Sequence, residues 1–216
     1  ILEETDLPGR FQFSHALVGD TLAAELSAVR RARLHAAIAE TIAFFDECLF
    51  HGDGLAALAK QTGLSKAGAE AAMHRHIGVC YDVCHAAVEF EDPASSIAQL
   101  RGHGILIAKL QLSSALRVAS FDASSAQHLA AFAEPVYLHQ VVVRRSDGTL
   151  HRFADLPAAL ADVGHAKDTN GTEWRVHFHV PVFLDQMLHF DTTQSFLSDI
   201  LALHRAEPIS QHLECE

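Results

Sequence analysis

Gly78-Val79-Cys80-Tyr81-Asp82-Val83-Cys84-His85 is the stretch on which the reading of this chain turns. Its apolar and small residues predict a short buried strand over Gly78–Cys84. The strand ends in Asp82 and, three residues on, His85. A carboxylate and an imidazole are costly to bury unless they bind something. At the C-terminal mouth of a parallel α/β barrel, such a pair suits a metal ion or a polar substrate.

Outward from this stretch, helices and strands alternate. The Ala-rich N-terminal third predicts helices over Thr21–Arg33, Ala36–Phe50, Leu55–Gln61 and Lys66–His76, the last capped by Ser65. Pro93 opens a helix that Gly102 and Gly104 close, and Ile105–Leu112 reads as a second strand. A helix around Ser125–Phe132 follows. Tyr137–Arg145 and Thr149–Phe153 flank Asp147-Gly148, a hairpin-turn signal, so a β-hairpin is expected near residues 137–154 as an insertion. Trp174–Phe183 predicts a third main strand, Thr192–Arg205 a helix capped by Asp191, and Gln211–Glu216 a last strand. Strands separated by helices predict a parallel α/β domain. The whole of 1–216 reads as one such domain.

Side chains alternate faces along a strand. Strict alternation puts Ile105, Ile107, Lys109, Gln111 and Ser113 on one face and Leu106, Ala108, Leu110 and Leu112 on the other. Arg175, His177 and His179 share a face of the next strand, and His212, Glu214 and Glu216 a face of the last. With Asp82, four strands aim polar groups the same way, as the mouth of a barrel with a hydrophilic site would. The competing reading is an antiparallel sheet with one solvated face, where the same alternation is ordinary. Long helices between the strands favour the barrel. The acidic run Glu89–Asp92 reads as a solvated loop beside the site.

Composition limits the function. With 49% hydrophobic and 20% charged residues, the chain suits a well-packed soluble domain. A formal net charge of -11 disfavours a phosphate-backbone partner, so no nucleic acid is expected. No apolar run approaches the ~18 residues of a membrane span. Cys48, Cys80, Cys84 and Cys215 lack disulfide or zinc-finger spacing, which predicts buried thiols in a reducing cytoplasm. There is no phosphate-binding glycine loop, no Gly-x-Ser-x-Gly elbow and no His-Glu-x-x-His helix. Ser113-Ser114 follows a strand without the context of a serine hydrolase.

Val-Cys-Tyr-Asp-Val-Cys-His (79–85) resembles the Asp-x-x-His strand of the xylose-isomerase-like TIM barrels. That superfamily holds sugar phosphate isomerases and epimerases and the apurinic endonuclease IV relatives (AP endonuclease family 2). Segments 80–92, 109–117, 137–140, 175–183 and 212–214 together resemble its metabolite-traffic family of the EboE type, over about residues 38–216. The resemblance implies a (β/α)8 TIM barrel and a divalent metal ion (Mn²⁺, Zn²⁺ or Mg²⁺). It implies Asp82, Gln111, His179 and Glu216 as metal ligands, and Glu216, His85 and Lys109 as catalytic groups. His85, His177, Arg175 and Glu214 would bind substrate.

The function so implied is a metal-dependent sugar or sugar phosphate isomerase or epimerase acting on a small hydroxylated metabolite. The ion would polarise a carbonyl and hydroxyl, and a glutamate would move the neighbouring proton. The alternatives are a non-catalytic metabolite-binding or traffic protein using the same pocket and a metal-dependent hydrolase related to endonuclease IV. One departure weighs on all three. Arg33-Leu34-His35 leads directly toward the helix at Ala39-Glu40-Thr41, where the family has a glutamate-bearing strand. The barrel is therefore expected to be incomplete, lacking early strands, and the chain to be a fragment or a copy without activity.

Overall fold

A computed structural model of the chain describes residues 2–4, 11–13, 38–133, 138–163 and 171–216. The chain divides into two units, Ile1–His35 and Ala36–Glu216. In the first, β1 (Leu2–Glu4) and β2 (Phe11–Phe13) pair antiparallel, with Leu2 opposite Phe13. The helix expected over Thr21–Arg33 lies outside the described residues.

The second unit opens with α1 (Ile38–Phe44), continued by a π-helical turn over Phe45–Phe50, then α2 (Asp53–Thr62) and α3 (Lys66–His76). Gly63, at φ 70°, ends α2 in the left-handed conformation that glycine tolerates. Ser65 Oγ accepts a hydrogen bond from Gly68 N at 3.1 Å and starts α3, as its sequence predicts.

β3 (Gly78–Asp82) then pairs parallel with β4 (Leu106–Leu112). Only glycine fits at residue 78, because a Cβ there would lie 2.3 Å from the carbonyl oxygen of Leu106. β3 is shorter than the strand expected over Gly78–Cys84. Asp82 Oδ1 accepts from Cys84 N at 2.9 Å, and this cap turns the chain into α4 (Val83–Val88). Asp92 caps α5 (Pro93–Gly102) in the same way, accepting from Ser95 N at 2.8 Å.

A bulge corrects the expected facing of β4. Val79 pairs with Ile107 but Cys80 with Lys109, so Ala108 is the extra residue. Ile107 and Leu110 are both buried, while Lys109 and Gln111 line the other face. β11 (Leu213–Cys215) completes a three-stranded parallel sheet, with Glu214 opposite Gln111. The core under this sheet joins Tyr81, Ile107 and Leu110 to Leu100 of α5 and to Phe196, Leu197 and Ile200 of α8 (Gln194–Ala206). The expected cap Asp191 does not serve α8. Its N-cap is Thr193, and Asp191 lies in a strand.

The remaining strands are β5 (Ala115–Val118), β6 (Val141–Arg144), β7 (Leu150–Phe153), β8 (Glu173–His179), β9 (Gln186–Met187) and β10 (Phe190–Thr192). They form a second, antiparallel sheet of six strands in the order β7-β6-β8-β5-β10-β9. α6 (Ala123–Ala130) and α7 (Leu156–Val163) cover one face. There Leu129, Leu156 and Ala159 pack against Leu116, Val141, Trp174 and Val176.

This architecture corrects the expected TIM barrel. In the second unit three described strands form a parallel sheet and six a separate antiparallel one, with no closed barrel among the described residues. The decisive place is Ser113-Ser114, the two residues between β4 and β5. A parallel neighbour needs a crossover of a dozen or more residues. With only two, β5 leaves the parallel sheet and pairs antiparallel with β8 and β10. The hairpin of β6 and β7 is likewise no insertion. It forms the edge of the six-stranded sheet, and the helices read as crossovers cover that sheet's face. Among the described residues, no helix is long and apolar enough to cross a membrane, and no disulfide links the four cysteines.

Candidate metal centre

The candidate site lies where the C-terminal ends of β3, β4 and β11 meet the C-terminal end of β8. Asp82 is its best-anchored member. Its Oδ1 accepts from Ser113 Oγ at 2.5 Å as well as from Cys84 N. Its Oδ2 faces Gln111 Nε2 at 3.3 Å and His85 Nε2 at 3.6 Å. One carboxylate oxygen is thus fixed by the fold and the other presented to the site, the division of labour that orients a metal ligand. His85 follows because α4 begins at Val83, which brings residue i+3 beside the capping carboxylate.

The two histidines of β8 arrive through an irregularity. Ala115 pairs with His179, but the next residue of β5, Leu116, pairs with Val176, so β8 carries two extra residues across this step. Bulges of this kind re-aim side chains beside active sites. Here His177 N donates to Gln140 O at 2.8 Å, and Val180 N donates to Ser114 O at 3.0 Å. As a result His177 Nε2 and His179 Nε2 stand 3.0 Å apart. The His177 ring also packs on His85, with centroids 3.9 Å apart. His179 Nδ1 lies 3.3 Å from Glu216 Oε2, and Glu216 also accepts from Gln111 Nε2.

Three sets of donor atoms each lie within 4.8 Å of one another: Asp82 with His85 and His177, Asp82 with His179 and Glu216, and Cys84 with His177 and His179. The sets overlap, so His177, His179 and Asp82 each belong to two. Imidazole, carboxylate and thiol donors within such a span suit a divalent transition ion. The residues fit the implied metal on this chemistry and on the anchored Asp82 carboxylate.

The structure brings together Asp82, His85, Gln111, His177, His179 and Glu216. It holds Lys109 and Glu214 nearby, on the open face of the parallel sheet, where they form an ion pair with each other. The hydrogen bond to Glu214 raises the pKa of the Lys109 ammonium above its ordinary value. Burial chiefly raises that of the neighbouring Cys80 thiol.

Arg175 belongs to a different assembly. Its guanidinium donates to Glu173 Oε1 at 3.0 Å and to Ala87 O at 2.5 Å and lies 3.9 Å over the Phe90 ring. Arg117 donates to the same Glu173 oxygen at 2.8 Å, and Arg144 pairs with the other oxygen. Burial pushes the Glu173 carboxyl up, but the bonds and charges of Arg117 and Arg175 outweigh it and hold the pKa below the usual 4.5.

The run Glu89–Asp92 is not the solvated loop expected. Glu89 is only 4% exposed and accepts from Arg152 Nε at 2.6 Å and Gln140 Nε2 at 2.8 Å. Its burial outweighs these bonds, so its pKa is raised. Phe90 takes a left-handed φ of 58°, and the guanidinium carbons of Arg144 and Arg175 lie 4.6 and 3.9 Å from its ring centroid.

Two further side chains adjoin the centre. The sequence places Cys84 on a strand as a buried thiol, and it is buried. The helix start turns it toward His177 and His179. Ser113, which follows a strand without the context of a serine hydrolase, is fully buried and donates to Asp82. The only sequence signal for either was its distance from Asp82 and Gln111 along predicted strands. No family model, no curated protein and no solved structure matches this chain.

Proposed function

We propose that this centre holds one divalent ion and that the protein isomerises or epimerises a small hydroxylated metabolite there. Two overlapping donor sets that share Asp82, one with His85 and His177 and one with His179 and Glu216, carry the reading. Such an ion, when bound, supplies Lewis acidity toward a carbonyl or hydroxyl oxygen. The chain's own residues do the rest. Ser113 and the Cys84 amide keep Asp82 in one rotamer, so its free oxygen holds a constant position. Glu216, with about half of its side chain exposed, can reach a substrate from solvent and remove a proton beside a carbonyl. His179, 3.3 Å from that carboxylate, orients it. His85 exchanges a proton with a substrate hydroxyl in this reading. The resemblance noted from sequence favours a sugar or sugar phosphate as substrate class.

The test is metal analysis of the purified protein and its Asp82→Ala variant, followed by solvent-deuterium exchange with a panel of ketoses, aldoses and their phosphates. One ion per chain, lost in the variant with folding intact, and deuterium wash-in at carbon beside a carbonyl are expected. Absence of stoichiometric metal overturns the reading. Metal without exchange on any panel member overturns the catalytic half and leaves a metabolite-binding protein.

A further inference from the structure

His177 and His179 share a donor set with Cys84 as well as with the oxygen ligands. The Cys84 side chain is completely buried, whereas Asp82, His85 and His179 are part-exposed and Glu216 is exposed. The backbone amide of Cys84 donates to Asp82 Oδ1 and to Ser113 Oγ, both at 2.9 Å. The same pair of bonds therefore fixes the Asp82 carboxylate and the start of the Cys84 side chain. A cysteine that only filled the core would pack against apolar neighbours alone. Cys84 does contact a small cluster with Val88, Ala115 and Val142, yet its sulfur also lies within 4.8 Å of both imidazole donors.

We propose that Cys84 Sγ is a ligand of the centre, which makes the site one for a thiolate-accepting ion of the zinc class. The proposal rests on the metal reading above and narrows it. Zinc–sulfur bonds of about 2.3 Å and zinc–nitrogen bonds of about 2.0–2.1 Å, at a tetrahedral angle, separate the donor atoms by roughly 3.3–3.6 Å. That lies within the 4.8 Å span, and the histidine nitrogens already stand 3.0 Å apart. Thiolate disfavours Mg²⁺ and Mn²⁺, which prefer oxygen donors. On coordination the thiol proton leaves to solvent, and the sulfur–metal bond takes its place.

The test is X-ray absorption at the zinc edge of protein loaded with one equivalent of Zn²⁺. One sulfur scatterer at about 2.3 Å beside nitrogen and oxygen at about 2.0–2.1 Å is expected, and Cys84→Ser loses the sulfur. Cys48→Ser, Cys80→Ser and Cys215→Ser keep it, and together they decide the matter should Cys84→Ser fail to fold. Zinc bound one to one with nitrogen and oxygen only overturns the proposal while sparing the metal reading. A sulfur signal that survives Cys84→Ser, or that Cys48→Ser, Cys80→Ser or Cys215→Ser removes, also overturns it. Failure to bind any ion overturns both readings together.

Discussion

On the parallel sheet, Cys80, Asp82, Lys109, Gln111, Glu214 and Glu216 share one face by register, and solvent reaches most of it. On the antiparallel sheet, Glu173, Arg117, Arg144 and Arg175 share a face that α4 meets through Ala87 and Val88. The second set is closed. Both oxygens of Glu173 are taken by guanidinium groups, and Arg175 spends its donors on Glu173 and a backbone carbonyl. The first set ends in Asp82 and Glu216, whose carboxylate oxygens lie within 4.8 Å of each other and of a His179 ring nitrogen. Charges that satisfy one another hold a fold together, while charges aimed at a shared point are equipped for a ligand.

Glu173→Gln tests the closed set and has the largest expected effect on stability. It leaves three arginines around a neutral amide, and breaking a buried pair costs about 3–5 kcal/mol. Urea denaturation at neutral pH measures this. A loss below about 1 kcal/mol would remove the contrast, since surface pairs behave that way.

Asp82→Ala should do the reverse. The loss of the α4 cap costs about 1 kcal/mol, read in metal-free protein, while metal content falls to background. Large unfolding with unchanged metal content would make Asp82 a structural residue.

Acid titration separates the two buried glutamates. Glu173 has a lowered pKa, so its contribution is present above its usual 4.5 and lost as pH falls through the lower folded value. Glu89 has a raised pKa, so its contribution is present below 4.5 and lost as pH rises through the higher folded value. The stability difference between wild type and Glu173→Gln should therefore shrink on acidification below 4.5. That between wild type and Glu89→Gln should shift against wild type as pH rises above it. Parallel curves for the two variants would contradict the assignments.

Lys109→Met is expected to have the smallest effect. Its partner Glu214 is largely exposed, and solvent screens the pair. Neither the urea midpoint nor the metal content should move measurably; a drop in metal content would bring Lys109 into the centre.

Much of the centre was legible in the sequence because alternation along a strand needs no tertiary information. The shared facing of Asp82, Gln111 and Glu216 follows from a period of two and predicted strand ends, whereas His177 and His179 reach the site through the two extra residues of β8. What alternation missed were its own interruptions. The bulge at Ala108 moved Ile107 into the core with Leu110, and the cap at Asp82 moved Cys84 off the strand. Both depend on a partner, Cys80 and Lys109 across the ladder in one case and Ser113 in the other. The barrel was misread for a related reason. Strand–helix alternation looks the same whether a helix crosses over to a parallel strand or covers an antiparallel sheet.

The sequence by itself determined part of the local chemistry: the cap at Ser65, the hairpin turn at Asp147-Gly148, and which strand ends carry imidazole and carboxylate. These depend on neighbours a few residues away. Tertiary structure alone decided which strands pair, that Glu89 and Arg175 are engaged in the fold, and that Cys84 stands beside His177 and His179. Those outcomes turn on contacts between residues as far as 103 apart, as Gln111 and Glu214 are, and no local pattern encodes them.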